Sequence, residues 1–261
     1  PNRLTFYRWV FMPHPHIIMP CNCSASVAFI VRLQNSQGLA GVMFELPLFP
    51  LGSVLFPGIP INLHIFEERY KEMIGLCLQK REPFGVVLIR EGREALGPLA
   101  SPHPVGCTAQ IVAMQPLGQG RMFITAVGQD RFRISNLSFD RPYLVGSVEL
   151  HPVNNANPMG LRKQSHQLNT LLRRYLEIVA QVGNIEIEPD QIPTEPIRLA
   201  YWSAAILQHV PQTQKQDLLA LESADALLDR VSALYRREVS FLEMMLARHS
   251  HDEEDSPFSL N

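Results

Sequence analysis

The side chains of this chain that could bind a metal or attack a substrate are its four cysteines, its nine histidines and a few serines. Cys21 and Cys23 enclose a single residue, whereas paired zinc ligands usually enclose at least two, and no second pair completes a site. Cys77 and Cys107 stand alone within apolar stretches, which is typical of buried thiols in a reducing compartment. The sequence therefore predicts neither a metal site nor a disulfide.

Sequence motifs for catalysis or cofactor binding are missing. The chain has no G-x-x-x-x-G-K-[ST] loop for phosphates, no G-x-S-x-G elbow and no H-E-x-x-H zinc helix. Gly118 and Gly120 lack the third glycine of a dinucleotide fingerprint and fit a turn better. Ser53, Ser101 and Ser203 have no base nearby in the sequence. We therefore expect no catalytic residue, no cofactor and no enzyme activity, although a small hydrolase with a site assembled from distant residues stays an alternative.

Composition narrows the classes of partner. The 261 residues are 46% hydrophobic and 18% charged, which is ordinary for a globular protein, and the net charge of −2 provides no overall positive field for nucleic acid. The apolar run at 27–31 is far too short to span a membrane. These features predict a cytoplasmic protein with no membrane contact and do not favour nucleic acid as a partner.

The first forty-two residues differ from the rest of the chain in composition and in hydrophobic periodicity. Three prolines, at positions 13, 15 and 20, interrupt any apolar core of a targeting peptide, and no helical or strand period runs through the segment. At Met43 the pattern changes abruptly to strongly apolar sequence. Our hypothesis is that translation starts at Met43 and that residues 1–42 are an irregular leader or upstream sequence outside the fold.

Residues 43–153 are predicted to form a β-rich subdomain with one inserted helix. Pro57 and Gly58 suit a type II turn, and Pro60 suits a strand start or an edge. Apolar residues at three- and four-residue steps predict a helix at about 66–79. Gly118 and Gly120 predict a hairpin, and residues 128–131 predict a second turn. Six or so short strands around one helix suggest a curled, partly closed sheet.

Residues 154–249 are predicted to form a helical subdomain. Leucines and aromatic residues recur at helical spacing in several segments, and Thr194 is expected to cap a helix that accepts Pro196 in its first turn. The longest helix is predicted from Ser223. Residues 250–261 are acidic and polar, and predict a disordered tail. The predicted fold class is therefore α+β, with a β subdomain followed by a helical bundle.

Several of these segments resemble the N-terminal, substrate-binding domain of Lon proteases, as found in short stand-alone members of that family. The matching segments, in the same order and spacing, are 46–58, 61–70, 105–111 and 128–134. The likeness runs from about Met43 to His249. It implies a PUA-like curled sheet or pseudo-barrel packed against a helical bundle, without the ATPase ring and the Ser-Lys protease domain of a full Lon protease.

The residues that carry the resemblance are mainly prolines, glycines and bulky apolar residues, so we expect them to define turns and core rather than a binding site. They are Pro47, Phe49, Pro50, Leu51, Phe56, Pro57, Gly58, Phe66, Arg69, Tyr70, Gly106, Gly128, Arg131 and Phe132. Among them Phe49, Phe56 and Tyr70 are candidate contacts for a bound peptide, although core packing is the stronger interpretation of these three.

The resemblance implies a non-catalytic module that binds unfolded or degron-bearing proteins, as an adaptor or regulator in protein quality control, with a protease as a candidate partner. The oligomeric state stays open. RNA binding is an alternative, because PUA-like folds can bind RNA and Arg131 and Arg133 flank Phe132. Period-two alternation nevertheless puts Phe132 on the opposite face from both arginines, and the net charge counts against RNA.

Overall fold

The computed structural model describes residues 42–94, 99–155, 158–183 and 192–254. The proposed leader, apart from Val42, and residues 255–261 of the predicted tail lie outside the described residues. The strands are β1 (Met43–Leu51), β2 (Pro60–Ile65), β3 (Phe84–Glu91), β4 (Ser101–Pro102), β5 (Val105–Gly118), β6 (Arg121–Ser138) and β7 (Leu144–Leu150). The helices are α1 (Glu68–Lys80), α2 (Pro158–Gly183), α3 (Pro196–Ile206), α4 (Gln212–Ala220) and α5 (Ala224–Glu254).

Five of the strands close on themselves. β1 pairs with β7, β7 with β6, β6 with β5, and β5 with β3, all antiparallel. β3 then returns to β1 in a parallel pairing that sets Leu48 beside Gly85. β2 pairs with the first part of β6, and β4 pairs with β3. The predicted α+β class with a curled sheet is therefore confirmed, and the curl is a closed small barrel.

The barrel is narrow enough that glycine is required in its wall. A Cβ at Gly106 would lie 2.6 Å from the Val86 carbonyl oxygen and 2.6 Å from the ring of Phe132. A Cβ at Gly85 would lie 2.7 Å from the side chain of Leu48. Phe132 and Leu48 belong to the apolar cluster that fills this space, so the glycines provide room for large side chains from facing strands.

Helix α1 covers a second apolar cluster. Its apolar stripe, with Tyr70, Met73 and Ile74, packs with Leu63 and Ile65 of β2. The predicted helix at 66–79 is confirmed, with a start two residues later and an end one residue later. Both cysteines among the described residues are free and buried, and burial raises the pKa of the Cys77 thiol to about 11.

The turn predictions divide into two correct ones and one wrong one. Ile59 N–H donates to the Phe56 carbonyl and Gly58 has φ of 80°, which confirms the Pro57–Gly58 turn. The hairpin at Gly118 and Gly120 is confirmed, and both glycines have positive φ.

The turn predicted at residues 128–131 is wrong, because β6 continues through this segment. A register shift between Cys107 and Ala109 accommodates the extra residue. The hydroxyl of Thr108 accepts from the Asp130 amide at 3.0 Å and so satisfies the backbone where the ladder is disturbed. A β-bulge and a turn share the same glycine-rich, polar composition, so the sequence did not separate them.

Two helix ends differ from the predictions. Glu195, rather than Thr194, caps α3, because its carboxylate reaches the amides of both Ile197 and Arg198. Helix α5 continues to Glu254, so a tail starting at position 250 is wrong for its first five residues. A polar composition favours disorder, yet extending a helix that is already formed costs far less than starting one.

Candidate functional site

The three residues predicted as peptide contacts are buried. Phe49, Phe56 and Tyr70 are 6%, 1% and 4% exposed. Phe49 stacks on Tyr70 beneath α1, with ring centroids 4.2 Å apart, and the Arg69 guanidinium lies 4.7 Å from the Tyr70 ring centroid. Phe56 instead stacks on Tyr201 of α3, at 5.7 Å. The three side chains thus belong to two separate clusters and leave little surface for a ligand.

A buried seam joins the barrel to the helical subdomain, and Arg131 lies at its centre. The guanidinium of Arg131, on β6, donates from Nη1 to the carbonyl oxygens of Leu219 and Leu221 at the C-terminal end of α4. The C-terminal end of a helix carries partial negative charge and favours a cation there. Burial lowers the pKa of Arg131. This arginine, a candidate for RNA contact by sequence, is engaged within the protein.

Helix α4 contributes two further bonds to the seam. Gln216 Nε2 donates to the Val105 carbonyl at 2.9 Å, and Gln212 Oε1 accepts from the Val54 amide at 3.0 Å. Residues four apart lie on one face of a helix, so α4 presents one polar edge to the barrel.

Arg133 Nη2 bonds to Glu222 at 3.0 Å and lies 3.1 Å from His151 Nε2. The second arginine of the RNA alternative is therefore also paired across the seam.

A buried lysine and a buried serine of the helical subdomain, Lys215 and Ser203, are not hydrogen-bonded to each other. Lys215 donates to the Ala205 carbonyl at 3.0 Å, near the end of α3, and burial lowers its pKa to about 8. Ser203 is fully buried, and its hydroxyl has no hydrogen-bond partner among the residues that the structure describes. Ser101 accepts from Arg90, and Ser53 is exposed. Lys215 therefore acts as a helix-end cation.

The described ranges hold neither a cluster of metal ligands nor a helix that could span a membrane. Within them, no group of three or more His, Cys, Asp or Glu side chains is arranged to hold a metal ion. None of the helices in the same ranges combines the length and apolar character needed to cross a bilayer.

An exposed aromatic cluster lies where β2 runs along β6. It consists of His64 on β2, Phe66 immediately after β2, and Phe123 on β6, and we call it the outer aromatic cluster. The His64 ring centroid lies 4.7 Å from that of Phe123 and 5.4 Å from that of Phe66. Phe66 and Phe123 are 43% and 46% exposed, so both rings are held by a neighbour yet open to solvent.

Strand β2 leaves one backbone edge available beside this cluster. In the part of the chain that the structure describes, β2 pairs with β6 alone. The next outward pair along the two strands is polar, with the Thr125 hydroxyl donating to Asn62 Oδ1 at 2.7 Å. Val112 is also exposed, and it lies on β5, the other neighbour of β6, at a register shift between the two strands. The arrangement combines unpaired backbone groups with aromatic surface, which is what an extended peptide needs.

His64 and Phe123 were not selected from the sequence, although a signal was present. Leu63 and Ile65 are buried, so alternation directs His64 outward, and buried Ile124 directs Phe123 outward in the same way. A phenylalanine at an outward strand position is the signal. Phe66, by contrast, was among the signature residues expected to be structural, yet it is exposed.

A concave region of about 510 Å³ lies between the starts of α2 and α3. Its lining mixes Arg162, His166 and Glu195, of which Glu195 is already used as the cap of α3. The open and mixed-charge lining does not define one class of ligand.

The fold, a small closed β-barrel covered by one helix and packed against a helical bundle, is that of Lon N-terminal domains. Residues 45–237 match the family described as the ATP-dependent protease La (LON) substrate-binding domain. The chain therefore belongs to this family, which confirms the resemblance read from the sequence.

Curated relatives include proteins named Lon protease. The Lon protease of Anaeromyxobacter dehalogenans is 25% identical over 214 residues, and the Lon protease of Roseiflexus castenholzii is 29% identical over 206 residues. These matches cover 81% and 76% of this chain, but only 25% and 24% of the relatives. A LON peptidase N-terminal domain and RING finger protein of Schizosaccharomyces pombe is 31% identical over 117 residues, 41% of this chain and 24% of its own. The chain thus spans about a quarter of the length of these relatives.

Solved structures share the fold. A Lon N-terminal domain protein from Xanthomonas campestris superposes with a TM-score of 0.54 at 24% identity, over 73% of this chain and 98% of its own. The N-terminal domain of a Mycobacterium avium complex Lon protease gives a TM-score of 0.54 at 16% identity, over 76% of this chain and 98% of its own.

Proposed function

We propose that this chain is a non-catalytic protein-recognition module that binds extended apolar segments of unfolded proteins along the free edge of β2. The observation that carries the proposal is the outer aromatic cluster beside an unpaired strand edge. Membership of the substrate-binding family supports the same class of ligand.

The chemistry follows from strand geometry. A peptide added to β2 would gain backbone hydrogen bonds, which any sequence can supply, and would present every second side chain to the same face. Apolar side chains on that face would cover Phe66 and Phe123, so the module would select for apolar content rather than for one sequence. Folded proteins keep such segments buried, so unfolded clients would be preferred. Phe49 and Tyr70 would not contact the peptide, and their stacked rings would stabilise the packing of α1 on the barrel.

The narrower role that we propose is an adaptor or regulator in proteolysis, with unfolded or degron-bearing proteins as clients, a protease as partner and the cytoplasm as location. The support is that several relatives are named Lon proteases and share this domain. ATP-dependent proteolysis by those relatives resides in proteins of which the match covers only about a quarter, so it is not transferred to this chain.

The test is binding of the full chain, without ATP, to a labelled permanently unfolded protein and to its folded counterpart. We expect saturable binding to the unfolded form alone, and a loss of roughly tenfold in affinity for the double variant Phe66→Ser and Phe123→Ser. The control is Phe139→Ser, which replaces a still more exposed phenylalanine (61%) beyond the end of β6, and this variant should bind as the unsubstituted chain does.

The backbone part of the proposal has its own test. A short apolar peptide in which successive amides are N-methylated has lost the donors of both its edges, so it should bind much more weakly than the unmodified peptide. Equal binding of both peptides would contradict edge addition, and equal binding of the folded and unfolded protein would contradict the proposed function.

A further inference from the structure

The register of β2 on β6 determines which backbone groups of β2 face its free edge. The carbonyl of Ile59, just before β2, accepts from the Gly128 amide of β6 at 3.0 Å, and the pairing continues from there without a shift. In an antiparallel ladder, residues that bond to the partner strand alternate with residues whose N–H and C=O point away from it. The odd-numbered residues of β2 therefore bond to β6, and Asn62 and His64 direct their backbone groups to the free edge.

The same two residues direct their side chains to the outer face, because Leu63 between them is buried. The His64 ring contacts both phenylalanines of the outer aromatic cluster, so its position along the edge is apolar. The position of Asn62 is polar, since Asn62 Oδ1 accepts from the Thr125 hydroxyl at 2.7 Å. Asn62 is exposed, so its Nδ2 group remains available to an acceptor on a ligand.

The neighbours of Asn62 on this face are uncharged. Thr125 lies across from it on β6, and Pro60 lies two residues before it on β2. Neither side chain could balance a carboxylate or an ammonium group of a ligand. Glu67, the next acidic residue along the chain, is paired with Arg69 at 2.9 Å. The position of Asn62 therefore favours a neutral amide or hydroxyl group as its partner.

We propose that Asn62 determines the specificity of this edge, and that the bound segment carries a neutral amide or hydroxyl side chain opposite Asn62 and an apolar side chain opposite His64. The proposal rests on the proposed function, because it concerns a peptide added to β2. In an added antiparallel strand, the two opposing residues would exchange backbone bonds with Asn62 and His64 and point their side chains to the outer face. A hydrocarbon side chain opposite Asn62 would remove the Nδ2 group from water without supplying an acceptor.

The direction of the added strand converts these two positions into a sequence order. In an antiparallel strand, the residue opposite Asn62 comes two residues after the residue opposite His64. The recognised pattern is therefore an apolar residue, any residue, and a neutral polar residue, in that order. Pro60 has no N–H to donate, so backbone pairing weakens beyond Asn62 and recognition is concentrated on this short pattern.

Two labelled peptides in the same short host of glycine and lysine test the pattern on the full chain. One carries phenylalanine and asparagine two residues apart, in that order, and in the other leucine replaces the asparagine. We expect the asparagine peptide to bind about tenfold more tightly, although it is the less apolar of the two. A leucine peptide that binds as tightly would overturn the role of Asn62 and leave the proposed function standing. If neither peptide binds, both the proposed function and this specificity are overturned.

A substitution in the protein should reverse the preference. Asn62→Leu replaces the amide at an exposed position, so this variant should bind the leucine peptide more tightly than the asparagine peptide. The matched control is Asn136→Leu, at an exposed asparagine in the second part of β6, and it should keep the original preference. Circular dichroism would show that both variants are folded. A folded Asn62→Leu variant that still prefers the asparagine peptide would overturn the proposal.

A third peptide tests the direction of the bound strand. It carries asparagine before phenylalanine, with the same spacing and the same composition as the first peptide. In the antiparallel register this order places the phenylalanine over Asn62, so we expect binding as weak as that of the leucine peptide. A reversed peptide that binds as tightly as the first, or more tightly, would overturn the antiparallel pairing.

Discussion

The two parts of strand β6 carry side chains that are conspicuous in the sequence but meet opposite surroundings. In the second part, Arg131 is buried against the end of α4. Eight residues earlier, Phe123 stands open to solvent beside His64. A charged residue is thus buried and an aromatic residue exposed on one strand.

The difference lies in what packs on each part. The second part of β6 faces the helical subdomain, whose α4 offers carbonyl groups that a guanidinium can satisfy. The first part pairs with β2, and the outward face of that pair is left open. The seam therefore stabilises the fold, whereas the outer aromatic cluster contributes surface for binding. Four pairs of substitutions test the packing of these regions and of the helical subdomain, in order of their expected effect.

The largest effect should come from truncating a ring in the seam. Phe56→Ala removes a fully buried ring that stacks on Tyr201, and it should lower the free energy of unfolding by about 4 kcal/mol. Phe123→Ala makes the same change in the outer aromatic cluster and should cost less than about 1 kcal/mol. Urea denaturation measures both. Equal losses would remove the distinction between the two regions.

A smaller effect is expected for Gly128→Ala, where β6 passes the turn after Phe56. A Cβ there would overlap the Phe56 carbonyl oxygen, a backbone atom that cannot rotate away, so we expect a loss of about 3 kcal/mol. Gly75→Ala is the matched control, because a Cβ at this position in α1 meets nothing within 4 Å. It should stabilise the protein by about 0.5–1 kcal/mol.

Loss of the arginine at the seam should have an intermediate effect. Arg131→Met keeps the aliphatic stem and leaves the carbonyls of Leu219 and Leu221 without their donor, so we expect a loss of about 2 kcal/mol. The effect stays moderate because Nε and Nη2 of Arg131 have no hydrogen-bond partner within the described residues. Arg133→Met, whose ion pair is partly exposed, should cost less than about 1 kcal/mol in the same urea titration. An equal cost for both would contradict a special role of Arg131.

The smallest effect is a pH dependence at Lys215. Its pKa is about 8 in the folded protein against 10.5 for the ordinary group, so between these values the unfolded chain holds a proton that the folded chain releases. Stability therefore rises with pH in this window, whereas below it both states are protonated and the burial penalty is constant. Relative to Lys215→Met, the unsubstituted chain should gain about 1 kcal/mol from about pH 7.5 to about pH 9.

The control for this measurement is Lys163→Met, which replaces an exposed lysine of α2 and should leave the rise with pH intact. A Lys215→Met variant with the same pH profile as the unsubstituted chain would contradict the lowered pKa.

Local backbone features were determined by the sequence alone. Pro57 and Gly58 allow few conformations other than the turn that forms, and Gly118 and Gly120 supply the positive φ of the hairpin. Pro196 fits the first turn of α3, and the apolar spacing defined α1 to within two residues. These features depend on neighbours in the chain, which the sequence displays directly, and the family resemblance rests on the same residues.

Burial and exposure were decided by the tertiary structure. The parallel return of β3 to β1 closes the barrel, and it joins segments whose pairing no local pattern specifies. Arg131 is buried because Leu219, 88 residues away in the chain, provides an acceptor. Phe66 and Phe123 are exposed because no described element covers the outer face of β2 and β6. The type of a residue indicates whether its side chain prefers a buried or an exposed position. Only the packing of elements distant in the chain determines whether a covering surface or a hydrogen-bond partner is present.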